Sequence, residues 1–98
     1  MLKIRFEART HKPFEQFRAD LDGAIGRSFA AAITTRTWTD QTLYTAAPST
    51  QGFVRFESGA VQSEVSIAFL AAPMKRVIVI ETARILREAS GGVVSSFE

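Results

Sequence analysis

The sequence has no cysteine, one histidine, one tryptophan and three prolines among 98 residues. Without cysteine there is no disulfide, no thiolate nucleophile and no cysteine-ligated zinc, and the composition fits a reducing compartment. The single imidazole, His11, excludes a paired-histidine metal site, and its polar surroundings mark it as an exposed residue ahead of a helix. No apolar run approaches the roughly 20 residues needed to cross a bilayer. The segment Met1 to Glu7 alternates apolar and charged residues, unlike the apolar centre of a signal peptide. The expectation is a cytoplasmic protein without a membrane span. An excess of one charge is also lacking: 12 Lys and Arg face 10 Asp and Glu, a net charge of +2. There is no basic block, so no specific nucleic-acid partner is expected.

What is present describes an ordinary globular chain. Apolar residues make up 46% and charged residues 22%, and the length allows one core. Eight phenylalanines place much of that core in a few large rings. Leu2, Ile4 and Phe6 fall on one face of a period-2 segment opposite Lys3, Arg5 and Glu7, the pattern of a half-buried strand. Pro13 then opens a helix, with Thr10 as an upstream cap, and Phe14, Phe17, Leu21, Ala24, Ile25 and Phe29 recur at helical spacing. Arg18 and Asp22 stand four apart on it and are placed to pair. Gly23 and Gly26 weaken the helix by about 1 kcal/mol each relative to alanine, and are read as points of close approach to a sheet.

The middle of the chain is β-like. Thr34 to Thr39 and Thr42 to Ala47 flank a turn at Asp40-Gln41, and residues 48–52 read as a loop. Phe53 to Glu57 leads through Ser58-Gly59 to the alternating run Val61, Ser63, Val65, Ile67 and Phe69. At the C-terminal end, Pro73 and the Gly91-Gly92 stop bracket a helix, although Val77 to Ile80 is a run that locally favours a strand. The first turns of that helix are expected to be buried nearly all round. The predicted class is a two-layer α+β domain over residues 1–92, in the order β-α-β-β-β-β-α. An antiparallel sheet of about five strands carries both helices on one face, and a frayed tail covers 93–98.

No set of residues forms a catalytic constellation, and no cofactor is expected. Asp20 and Asp22 are two apart and point in different directions on a helix. Glu57 and Glu64 flank a hairpin and are close enough to approach each other or Arg55, but read as solvated charges. Gly23-Ala24-Ile25-Gly26 lies inside a helical pattern and lacks the Lys-Ser/Thr of a phosphate loop. Aromatic and basic residues do interleave on the strands, yet without the spacing of a single-stranded nucleic-acid platform. Two surfaces remain. Trp38, Phe56, Phe69, Met74, Ile78 and Ile85 define an apolar face, either core or the wall of an apolar-ligand site between sheet and helix. Tyr44, Phe53 and Arg55 fall on the opposite sheet face, a candidate homodimer surface.

The chain also resembles a known family. The residues concerned are Arg36-Thr37-Trp38-Thr39 opening a hairpin, the strand Gly52-Phe53-Val54-Arg55-Phe56, and Phe69-Leu70-Ala71-Ala72-Pro73-Met74-Lys75 stepping into an apolar helix with Ile80-Glu81 and Arg84-Ile85-Leu86. From Ile4 to Gly91 this is similar to the polyhydroxyalkanoic acid system family, small bacterial proteins named for genes near polyester-granule genes. Arg76 stands where a glycine commonly follows the lysine. The resemblance implies a non-enzymatic accessory protein whose partner is a polyester storage granule or its proteins. It transfers no catalytic residue. A further analogy, to small helix-grip proteins, is at fold level only and implies no ligand. The alternative function, an apolar-ligand-binding module of helix-grip type, rests on the apolar face between sheet and helix.

Overall fold

Alternation in Leu2–Arg9 (β1) becomes burial: Ile4, Phe6 and Ala8 face the core while Lys3, Arg5, Glu7 and Arg9 face solvent. The computed structural model describes residues 1–97. After β1 come Phe14–Gly26 (α1), Thr35–Thr39 (β2), Thr42–Ala47 (β3), Thr50–Glu57 (β4), Ala60–Ile67 (β5), Lys75–Ser90 (α2) and Val94–Phe97 (β6). The strands form one six-stranded sheet in the order β2-β3-β4-β5-β1-β6, antiparallel throughout. Phe17 and Leu21 of α1 and Leu86 and Ala89 of α2 join the inward strand residues in a single core. The α+β class and the two-layer arrangement therefore stand as expected, with one strand more.

That extra strand is the segment read as a frayed tail. Val94 pairs with Ala8 and Phe97 with Arg5, so β6 completes the sheet beside β1. The paired glycines make the reversal. Gly91 takes the left-handed conformation (φ 74°) that ends a helix, its N–H donating to the Arg87 carbonyl at 2.8 Å. Gly92 passes so close to β1 that a Cβ there would lie 2.8 Å from the Arg9 carbonyl oxygen. Glu98 lies outside the described residues.

Other boundaries moved for identifiable reasons. α1 stops at Gly26, short of Phe29, and is followed by a 3₁₀ turn at Ala31–Ile33. Pro13 holds the cap position with an extended backbone and its carbonyl accepts from the Phe17 N–H; Thr10 Oγ1 instead accepts from the Lys12 N–H. Arg18 does not pair with Asp22, but lies over the Trp38 ring at 5.0 Å. Neither helix glycine touches the sheet: a Cβ on Gly23 would meet the Arg27 guanidinium, and one on Gly26 would meet nothing. The β3–β4 turn is confined to Pro48-Ser49, so Gly52 belongs to a strand. Pro73 sits inside the 3₁₀ helix Phe69–Met74 that precedes α2, and α2 itself begins at Lys75. Its first turns are not buried all round, since Val77 and Ile80 are exposed.

Polar contacts fasten the helical layer. Lys12 Nζ donates to Asp20 Oδ2 at 2.6 Å and Gln16 Nε2 to Oδ1 at 2.9 Å. The hydrogen bond from Lys12, with that from Gln16 next, holds the Asp20 carboxyl below its ordinary range. Asp22 faces the other way. It accepts from Trp38 Nε1 at 3.1 Å, while Arg36 Nη1 donates to the Asp22 carbonyl at 3.0 Å, tying β2 to α1. Arg27 and Arg84 both reach Glu88, and Arg84 also holds Glu81.

Candidate functional site: an apolar cleft beneath the final helix

The inward face of the sheet is graded in size, and that grading makes the site. In one cross-strand row Trp38, Leu43 and Val54 lie side by side, next to Phe56 at the hairpin end. α1 fills this end: Phe14 meets the Trp38 ring edge-on at 5.6 Å and the Phe56 ring at 5.6 Å, and Phe17 lies 5.3 Å from Phe56. The next rows toward the other end carry Thr45 opposite Gly52, then Ala47 opposite Thr50. Small side chains there leave the floor low. α2 and the 28–34 segment span the gap without filling it.

The result is an open apolar cleft of about 320 Å³. Its floor is Thr45, Ala47, Thr50, Gly52 and Val65; its walls are Leu21 and Ile25 of α1, Phe29 and Ile33, and Met74, Ile78, Thr82 and Ile85 of α2. Gly52 is indispensable to that floor, because a Cβ would stand 2.6 Å from the Glu64 carbonyl oxygen and 3.4 Å from Thr45 Oγ1. Two of the hydroxyls nearby are already committed. Ser63 Oγ donates to the Phe53 carbonyl at 2.8 Å and Thr34 Oγ1 to the Ala30 carbonyl at 2.8 Å. Glu81, at the edge, is neutralised by Arg84. Among the described residues no buried side-chain nitrogen or oxygen lacks a partner. The walls offer an occupant chiefly apolar contact and shape, with the Thr45, Thr50 and Thr82 hydroxyls among the lining groups.

Of the six residues expected on an apolar face, Met74, Ile78 and Ile85 line the cleft. Phe56 is buried in the filled end, and Trp38 is half-buried beside it, turned inward as its strand alternation requires. Phe69 departs from both readings. β5 ends at Ile67, and the Ala68 N–H donates to the Ser49 carbonyl, so the alternation stops before Phe69 and leaves its ring 69% exposed on a 3₁₀ turn. Tyr44 and Phe53 are cross-strand partners on the outer sheet face, with the Arg55 guanidinium 5.2 Å from the Phe53 ring centre. Glu64 lies opposite Phe53 and 3.8 Å from Lys3 Nζ, apart from Glu57, which faces Ala60. His11 is exposed. Among the described residues no cluster of three or more His, Asp or Glu is placed to hold a metal, and no helix is long and apolar enough to cross a membrane.

The sequence does not mark Thr45, Ala47, Thr50 and Gly52 as a floor, and Gly52 reads there both as the end of a loop and as the start of a strand. Their signal is a run of small side chains at inward positions of two consecutive strands, visible once Gly52 is placed in the strand and not in a loop.

Neither a protein-family model nor a curated protein matches this chain. Among solved structures it is similar to one described as the NMR structure of PA4090 from Pseudomonas aeruginosa. That likeness has a TM-score of 0.54 at 13% identity and covers 99% of this chain and 96% of the other. The two chains share a fold. At that identity the likeness speaks to architecture alone, and the whole α+β sheet-and-helix unit takes part in it.

Proposed function

We propose that this chain is a non-enzymatic binding module that holds a small apolar ligand in the cleft between the sheet and α2. The observation that carries the proposal is the hollow itself, about 320 Å³ walled by aliphatic and aromatic side chains next to an otherwise filled core. Ligand sites begin at about 300 Å³, so the space suits a compact apolar molecule or a short acyl chain. No acid, base or nucleophile faces it in a cooperating pair, which favours binding over catalysis.

Filling the hollow tests this. Val65→Phe, on the floor, and Ala71→Phe, at the wall, should each abolish binding of a dansyl-labelled medium-chain fatty acid measured by fluorescence titration. The fold should remain, with the melting temperature unchanged or raised, because cavity filling commonly adds about 0.5–2 kcal/mol. Undiminished probe binding in both folded variants refutes the cleft as the site.

The family resemblance adds a setting, an accessory role at polyester storage granules. The exposed apolar side chains beside the cleft support it. In polyester-accumulating cells the protein should then recover with the granule fraction; a wholly soluble protein without a granule partner removes this role and leaves the ligand reading intact.

A further inference from the structure

Around the mouth of the cleft the chain runs without charge in separate stretches, residues 28–35, 42–54 and 65–74. Large apolar side chains stand outward from two of them. Leu70 is 97% exposed, Phe69 69%, Phe29 67% and Ile33 60%. Protruding rings and aliphatic tips on an otherwise mixed surface mark a contact site. Phe29 and Ile33 belong to one segment that lines the cleft, and Phe69 and Leu70 immediately precede Ala71 and Met74, which line it from another. Directly after Met74 in the chain, the first turn of α2 carries Lys75 and Arg76 and no acidic residue. Apolar tips ahead of a cationic shoulder complement the acyl and headgroup layers of an anionic lipid surface.

We propose that this rim docks the protein on an anionic phospholipid bilayer, with Phe69 and Leu70 entering the acyl region and Arg76 meeting headgroups. This rests on the ligand reading above and extends it: the cleft mouth would then open toward the phase from which an apolar ligand partitions. A protein partner seated there would instead seal the mouth.

The test is co-sedimentation with sucrose-loaded vesicles of mixed phosphatidylcholine and phosphatidylglycerol, compared with vesicles of phosphatidylcholine alone. The wild-type chain should bind the mixed vesicles more tightly, and added salt should weaken that binding. The double variant Phe69→Ser with Leu70→Ser should lose roughly tenfold in partition for each side chain removed. Arg76→Glu should lose about fivefold or more on the mixed vesicles only. In vesicle-free buffer all of these proteins should still bind the dansyl fatty acid, since none of the substituted side chains lines the cleft. Wild-type protein that ignores vesicles yet binds the probe overturns the docking and leaves the cleft reading standing. Vesicle binding of the expected pattern without probe binding supports the docking and refutes the cleft reading. Vesicle binding indifferent to Phe69, Leu70 and Arg76 overturns the docking, as does a solution dimer that the double variant dissolves.

Discussion

Gly52→Val should destabilise the protein by about 3 kcal/mol or more and remove ligand binding together with it. A glycine inside a strand is ordinarily a weakness, and a larger residue there usually strengthens the sheet. Here the sign reverses. A Cβ would sit 2.6 Å from the Glu64 backbone oxygen, and that atom cannot swing aside like the end of a flexible side chain. β4 and β5 would have to separate where Gly52 pairs with Val65, weakening ladder hydrogen bonds in the middle of the sheet. The valine methyls would also rise from the floor of the cleft. Gly26→Ala is the matched control, because its Cβ meets nothing and the substitution should stabilise by up to about 1 kcal/mol. Urea denaturation of both variants checks the pair. Equal and small effects would mean that the close approach at Gly52 is not a feature of the folded protein.

The second large effect belongs to the filled end. Phe17→Ala should cost about 3–5 kcal/mol, the usual range for emptying a buried phenylalanine site. The ring is fully buried, lies against Phe56, and is one of the side chains by which α1 grips the sheet. A domain of this length has about 5–15 kcal/mol in total, and each kilocalorie moves the melting temperature by roughly 4–8 °C. Thermal melts followed by circular dichroism should therefore show a fall of roughly 12 °C or more. A loss below about 1 kcal/mol would place that ring outside the core.

How much of this was readable in advance follows from which signals are local. Period-2 alternation in β1 and β5, helical spacing in α1, and the Ser58-Gly59 turn depend on neighbours in sequence, and these elements appear as expected except that α1 and β5 end before Phe29 and Phe69. Ser58 and Gly59 even take the positive φ (49° and 81°) that such a hairpin turn requires. The misreadings depend on distant partners. Val94–Phe97 contains two serines and no alternation, and is a strand only because Gly91-Gly92 delivers it to the open edge of β1. The Val77 to Ile80 run suggested burial on every side, yet the first half of α2 overhangs a hollow, so Val77 and Ile80 look outward while Ile78 looks in. The cleft needed the register. Thr45, Ala47, Thr50 and Gly52 are unremarkable as letters and become a floor only when β3 is laid against β4.

The position of β1 carries a further consequence, for the order in which the sheet can assemble. β2, β3, β4 and β5 form a meander whose pairings are closed by tight turns, so each can form soon after its residues meet. β1 comes first in the chain but pairs only with β5 and β6, from its second half. Joining it to the sheet closes the longest loops in the molecule, the step that carries the largest chain-entropy cost. Until that closure Ile4 and Phe6 have no strand to lie beside, and the exposed edge of β5 awaits them.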